Sequence, residues 1–346
     1  MVSSAKGLAY VFSTIGNVKS HKASSSPLVL VDGTALLFRS YFAMPSMRRP
    51  IPDRNDQAED REVGAIVGFC NSLISILLPA PSDSTVMVLF DSPGPTFRQP
   101  MFPEYKAQRP EPPEDLGPQF SVAIEACRAF GWGAYAAPGF EADDVIATMA
   151  KVASDNNQER TVTIVGSDKD FYQLVTDTCF VICPSKKVLV TAAEVEAKFG
   201  VPPRLMVDLQ SLMGDSVDNI KGIPGIGPKT GSELLRQFGS LEGVLDNAHL
   251  VKQPKRRESL LQHRAAALLA RQLVTLHAEV PPSALLPPLQ DLNHLESLLT
   301  ASTPIDFTAA AAFCETNHLW TVARSLNKKK SLLRKNPSSP MMPRGG

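Results

Sequence analysis

Three short aliphatic runs, each leading into aspartate, do most to limit what this chain can fold into. Leu28–Val31 (LVLV) runs into Asp32, Thr85–Phe90 (TVMVLF) runs into Asp91, and Thr161–Val165 (TVTIV) is followed by Asp168 and Asp170. Apolar runs of this length, without polar alternation, fit strands buried on both faces. Helical spacing fills the intervals. Gly33–Phe42 reads as a helix, Glu62–Leu78 carries Ala65, Ile66, Phe69, Leu73, Ile76 and Leu77 at helical spacing, and Glu141–Ser154 sets Val145, Ile146 and Met149 on one face. The expectation is an α/β fold with a mainly parallel sheet covered on both sides. Past residue 200 the strands are expected to stop. Arg204–Met213, Thr230–Phe238, Ser240–Asp246 and Arg257–His277 read as short helices, Pro281–Pro288 as a linker, and a last helical piece ends near Trp320–Leu326. The expected units are residues 1–27 (leader), 28–200 (core), 201–280 (helical subdomain), 281–326 (linker and helices) and 327–346 (basic disordered tail).

Composition narrows the function. No run approaches 18 apolar residues, which excludes a helical membrane span. The five cysteines are scattered and odd in number, so no disulfide framework is expected and a reducing compartment is the default. The 35 basic and 35 acidic residues balance only in total. No acid precedes Asp32 or follows Glu315, and the two ends hold three and seven cations, leaving 25 against 35 acids over 32–323, or −10. An acidic body with basic ends suits a carboxylate-rich site and tails that touch polyanions. Residues 1–26, with seven serines, three lysines and no acid, have the composition of an organellar transit peptide.

In open α/β sheets the ligand crevice lies beyond the carboxyl ends of the strands. Asp32, Asp91, Asp168 and Asp170 would converge there. Glu141 and Asp144 are three apart near a helix start, with Asp143 beside them, and Asp215 and Asp218 repeat that spacing in GDSVDN. Each acid alone has an ordinary reading as a helix cap or turn residue. Nine together repel one another unless cations neutralise them. Oxygen donors with no histidine or cysteine spacing point to Mg²⁺, with Mn²⁺ as a substitute, rather than zinc. Two such ions would suit metal-assisted phosphodiester hydrolysis.

Two further signals concern phosphate. In Gly222–Gly231 (GIPGIGPKTG), two helices bracket a glycine-rich hairpin whose N–H groups can approach a backbone phosphate, with Lys229 and Thr230 adding a cation and a hydroxyl. The segment TFRQPMFPEYKAQRP interleaves Arg98, Lys106 and Arg109 with Phe97, Phe102 and Tyr105, a pattern suited to steering phosphates and stacking unpaired bases. Arg39, on the first helix, would lie near the same crevice.

The motifs VDGTALLFRSYFA, VGAIVG, FDSPGPTFR, YKAQRP, GFEADDVIAT, GSDKDFYQLV and MGDSVDNIKGIPGIGPKTG occur in this order over roughly residues 28–280. Together they resemble the 5′→3′ exonuclease domain of bacterial DNA polymerase I, in the flap-endonuclease superfamily. The resemblance implies a PIN-like α/β nuclease core, a helical arch over the site and a helix-three-turn-helix (helix-hairpin-helix) subdomain. It implies a first metal group of Asp32, Asp91, Glu141, Asp143 and Asp144, and a second of Asp168, Asp170, Asp215 and Asp218. Lys106 and Arg109 would contact the scissile phosphate beside Tyr105. Gly225, Gly227 and Lys229 would grip duplex DNA in a hairpin that also holds K⁺.

The implied activity is removal of 5′ ends and 5′ flaps from DNA, RNA primers included. Lys106, Arg109, Asp143 and Asp168 are the residues expected to carry catalysis. Departures are the longer, more charged connection Met44–Arg61 and Ser167 in GSDKD. No polymerase domain is expected in the remaining length. A stand-alone enzyme with a targeting segment is similar to the organellar exonucleases of plants, acting in plastid or mitochondrion with an organellar DNA polymerase as partner. The alternative is a catalytically silent protein that binds branched DNA. Against it stands the full set of acids, which a mere binder would gain nothing by facing toward phosphate. A haloacid-dehalogenase-like phosphatase, suggested by VDGT, would need an aspartate where Leu30 stands.

Overall fold

The computed structural model describes residues 26–52 and 58–335, with side chains placed for 26–50 and 60–331. β1 (Leu28–Asp32) lies inside a six-stranded sheet and is buried throughout. Its side chains alternate between faces: Leu28 and Leu30 enter one core, Val29 and Val31 the other. That is why the run shows no polar alternation. α1 (Gly33–Ala43) follows directly. The long connection is an antiparallel hairpin of β2 (Arg48–Pro52) and β3 (Ala58–Glu62), before α2 (Gly64–Leu77) covers the valine side of the sheet.

β4 (Thr85–Phe90) pairs with β1 in parallel, from Leu28 opposite Thr85 to Asp32 opposite Leu89. The short α3 (Arg98–Met101) and α4 (Gly117–Ala129) lead to β5 (Gly133–Ala136), parallel to β4. α5 (Ala142–Asn156) then carries the chain back to β6 (Val162–Val165), on the other flank of β1, and β7 (Cys179–Cys183) extends the sheet in parallel. β8 (Val188–Val190) closes it antiparallel, giving the order β5-β4-β1-β6-β7-β8. Strand order therefore reverses at β1 and β6, and a switch point of this kind opens a crevice at the carboxyl ends.

The helical part runs through α6 (Ala192–Phe199), α7 (Met206–Met213), α8 (Pro228–Phe238), α9 (Leu241–Asp246), α10 (Pro254–Gln262) and α11 (Arg264–Val274). It is not strand-free: β9 (Gly214–Asp215) and β10 (Ile220–Lys221) form a two-residue ladder. The strands cross so closely that a Cβ on Gly222 would lie 2.2 Å from the carbonyl carbon of Met213. This crossing ties the GDSVDN loop into a fixed knuckle. α12 (Leu292–Thr300), α13 (Phe307–Thr316) and α14 (Trp320–Lys335) complete the described chain.

Several expectations need correction. β5 and β7 were not legible in GAYA and CFVIC. The stretch 281–288 is no free linker, because Leu286 N–H donates to Ala136 O at 2.8 Å and Leu285 and Leu289 are buried. Residues 327–335 are no disordered tail, since α14 continues to Lys335 with Val322 and Leu326 in the core, and the rest of the expected tail lies outside the described residues. No arch helix forms around Tyr105–Arg109, which lie in successive turns. All five cysteines are free. No described helix is long and apolar enough to cross a membrane. The expected leader falls on residues 1–25, outside the described residues, apart from its last two positions.

Candidate functional site

The carboxyl ends of the strands deliver the first acids. Asp32 ends β1 and caps α1, its Oδ1 accepting from Ala35 N–H at 2.9 Å. Asp91 follows β4 and accepts from Ala142 N–H at 2.7 Å, which fixes the end of β4 to the start of α5. Asp143 is on the first turn of that helix. Burial, then the charges of Asp32, Asp168, Asp91 and Glu141, push its carboxyl well above the usual range. Burial also raises Asp32 to about 7, helped by Asp91 and Asp168 against relief from the Ala35 N–H.

A second cluster sits where the sheet meets the helical part. Asp170 opens a short 3-10 turn after β6, and its Oδ1 accepts from Gln210 Nε2 at 2.6 Å. Asp168 Oδ1 takes the Asp170 N–H at 2.9 Å, and Asp215 accepts from Val217 N–H at 3.0 Å. Among the described residues, Asp170, Asp215 and Asp218 each place a carboxylate oxygen within 4.8 Å of the others. Burial, and next the charge of Asp168, lift Asp170 to about 7. Asp168 thus acts electrostatically on both clusters.

Cations from one loop bridge the clusters. Lys106 Nζ lies 2.8 Å from Glu141 and 3.7 Å from Asp218, while the Arg109 guanidinium pairs with Asp218. Burial works against the Lys106 charge, but Glu141 and Asp218 outweigh it and hold the ammonium above its ordinary value. Lys106 has φ +56°, a left-handed conformation costing about 1–3 kcal/mol in a non-glycine residue. Its N–H donates to Asp218 O at 3.0 Å, one of the contacts that hold it there.

Three of the expected site residues are placed otherwise. Asp144 is fully buried and saturated: Arg98 forks onto both its oxygens at 2.7 and 2.8 Å, and the His277 and Glu141 N–H groups add bonds of 2.8 and 3.0 Å. It has no oxygen left for a metal. Arg98, expected to bind DNA, is 1% exposed and also donates to Leu273 O and Thr275 O, so no phosphate can reach it. The Tyr105 ring packs with Ile220, Ala270, Leu273 and Val274 and is closed to base stacking. Its hydroxyl instead lies 3.1 Å from Glu141 and 3.2 Å from Asp218.

The remaining residues are open to a ligand. Arg39 is exposed on α1. In the hairpin, Ile223 and Ile226 are buried while Lys229 is exposed, with Thr230 partly so. Gly225 has φ +79°, and a Cβ on it or on Gly227 would project into open space. Sequence reasoning missed Lys169, whose ammonium pairs with Asp215, and Gln210. The lysine stood in plain view inside GSDKD, whereas nothing in the sequence marked the glutamine.

The donors fit a hard divalent cation. They are all carboxylate oxygens, three converge within 4.8 Å, and two of the acids are driven to about 7 by burial and then by neighbouring carboxylates. Two family models cover most of the chain: the 5′-3′ exonuclease N-terminal resolvase-like domain over residues 27–200, and the 5′-3′ exonuclease C-terminal SAM fold over 201–296. The chain belongs to the 5′-3′ exonuclease family.

Within this family of nucleases the chain is 42% identical over 260 residues to DNA polymerase I of Rhizobium leguminosarum, covering 73% of this chain and 25% of the relative. It is 40% identical over 256 residues to DNA polymerase I of Deinococcus radiodurans, again 73% of this chain and 25% of that one. The chain thus spans about a quarter of the curated relatives it matches. In fold it is similar to the T5 D15 protein co-crystallised with metal ions (TM-score 0.58, 23% identity, 88% of this chain and 99% of that one). The catalytic core of Rad2 in complex with DNA substrate is also similar (TM-score 0.52, 16% identity, 84% and 88%). The 5′-3′ exonuclease fold, a resolvase-like α/β core with a helical second domain, is the one expected from the sequence.

Proposed function

We propose that this member of the 5′-3′ exonuclease family hydrolyses phosphodiester bonds at 5′ ends and 5′ flaps of branched or nicked DNA, RNA-primed ends included. The observation that carries this reading is the meeting of two carboxylate clusters beside Lys106 and Arg109, with an open glycine hairpin in the adjoining helical part. Solved relatives of the fold support the substrate class. One is a T5 D15 flap endonuclease in a pseudo-enzyme-product complex with DNA and metal ions.

Asp32, Asp91, Asp143 and Asp168 would hold one Mg²⁺ or Mn²⁺, and Asp170, Asp215 and Asp218 a second, with Glu141 between them. Bound there, the ions supply Lewis-acid polarisation and neutralise charge on the reacting phosphate. The chain's own residues do the positioning. The N–H groups around Gly225 and Gly227, with Lys229 and Thr230, hold a duplex backbone without reading its sequence. The same hairpin is the seat proposed for K⁺. Arg39 gathers a phosphate near the crevice. Lys106 and Arg109, already aimed at the acids, donate to phosphate oxygens as negative charge builds.

The composition of residues 1–26 supports plastid or mitochondrial action. The relatives' matching stretch is part of a DNA polymerase I, which supports an organellar DNA polymerase as partner.

Cleavage of 5′-labelled flap, nicked and blunt duplexes, each with Mg²⁺ and with EDTA, tests the reading. Metal-dependent products at the junction or the 5′ end are expected. Asp143→Ala and Asp168→Ala should lose more than the ~10–100-fold typical of an outer-shell partner, with flap binding in EDTA retained. Tight junction binding without cutting in either Mg²⁺ or Mn²⁺ would leave a branched-DNA binder instead.

A further inference from the structure

We propose that Gln210 is a positioning residue for the second carboxylate cluster, its side-chain amide holding Asp170 in register with Asp215 and Asp218. The inference rests on the metal-dependent reading above.

Gln210 lies on α7 with no exposed surface, among Met206, Leu209 and Leu212, which are equally buried. A residue serving only to pack would be better apolar there. Instead the amide spends its Nε2 on Asp170 Oδ1 at 2.6 Å, while its Oε1 is buried with no hydrogen-bond partner. An orphaned buried carbonyl is destabilising. That cost is borne where the amide meets a carboxylate, the pattern of a group kept for the site rather than for the core.

Other donors nearby are committed elsewhere. Lys169, next to Asp170 in sequence, turns its ammonium to Asp215, and the Asp170 N–H goes to Asp168. Among the described residues the side-chain donor to Asp170 is Gln210. The bond also crosses between the two family-matched parts, since Asp170 belongs to the sheet and Gln210 to the helical part.

α7 has two other attachments. It runs directly into Gly214–Asp215, and Leu212 O accepts the hairpin's Ile223 N–H at 2.8 Å. One rigid helix therefore delivers Asp215, backs the glycine hairpin and, through Gln210, fixes Asp170. Outer-shell donors of this kind orient ligands and tune their affinity for metal.

The test is Mn²⁺ titration by calorimetry, without DNA, of the wild type, Gln210→Met and Gln210→Asn, with thermal unfolding in EDTA measured in parallel. Methionine keeps the volume and removes the donor; asparagine keeps the amide but falls a methylene short. Both should weaken one Mn²⁺ site by about 10–100-fold. The methionine variant should lose far less metal-free stability than metal affinity, because removal of the orphaned oxygen offsets the bond lost at Asp170. Flap binding in EDTA should not change in either variant. Wild-type Mn²⁺ affinity in Gln210→Asn, or a loss of metal-free stability in Gln210→Met matching its loss of affinity, would overturn the proposal. A wild-type protein that takes up no Mn²⁺ would overturn the metal-dependent reading itself.

Discussion

At the head of α5 two adjacent carboxylates meet different surroundings. Asp143 faces the charges of Asp32, Asp168 and Asp91, whereas Asp144 is enclosed by the Arg98 guanidinium and two backbone N–H groups. Both belong to the same EADD run, so sequence spacing cannot separate ligand from strut. The deciding partner is an arginine 46 positions away. Tyr105 taught the same lesson: in sequence an aromatic between cations, in space a buried ring whose hydroxyl serves two acids. The clustered acids also make stability depend on pH. Asp32 and Asp170 titrate near 7 in the folded chain against an ordinary value of 3.8. Between those values the folded state binds more protons than the unfolded one, so stability must fall as pH rises through that window. Melting in EDTA should therefore drop between about pH 4 and about pH 7. Millimolar Mg²⁺ should restore it at the upper pH and do little at the lower. A melting temperature in EDTA that rises over that range would refute the clustering of unneutralised acids.

Among the elements, α5 and α11 are joined by the pair of side chains that sequence reasoning misassigned. Arg98 donates to Leu273 O and Thr275 O at the end of α11 while it forks onto Asp144 in α5, and Asp144 accepts from His277 N–H. This staple holds the helical part against the helix that carries Asp143. Arg98→Met alone strands a buried charge and should cost about 3–5 kcal/mol in urea unfolding. Arg98→Met with Asp144→Leu should recover much of that loss and keep wild-type Mn²⁺ affinity at both sites, whereas removing a ligand would weaken one of them. The elements that sequence revealed were those with unbroken aliphatic runs or helical spacing. β5 escaped notice because Gly133, Ala134 and Ala136 carry almost no side chain to pattern, although a Cβ on Gly133 would meet Met87 Sδ at 2.2 Å and make the methionine shift. The arch was expected by family likeness and not by periodicity, and the turns at Tyr105–Arg109 follow instead from their anchoring to Asp218 and Glu141.

For the molecule as a whole, the sheet separates two large cores, and the last two helices, α13 and α14, belong to the second. Residues beyond 296 lie past the family-matched span, yet Ala310, Cys314, Leu319, Val322 and Leu326 join the cluster built on Val29, Val31 and α2. Leu326→Ala should cost about 2–5 kcal/mol in urea unfolding and leave Mn²⁺ affinity unchanged. Its charged context, followed by three lysines, hid this burial in the sequence. The placement of Asp32 at the end of β1 and of Asp91 directly after the neighbouring β4 has one more consequence. Hydrogen-bonded strands stand about 4.8 Å apart, so the ladder acts as a ruler for the site. Spacing between these acids is a property of backbone pairing, which a side-chain substitution cannot retune. A glutamate at either position would keep the charge but overshoot the graduation by a methylene.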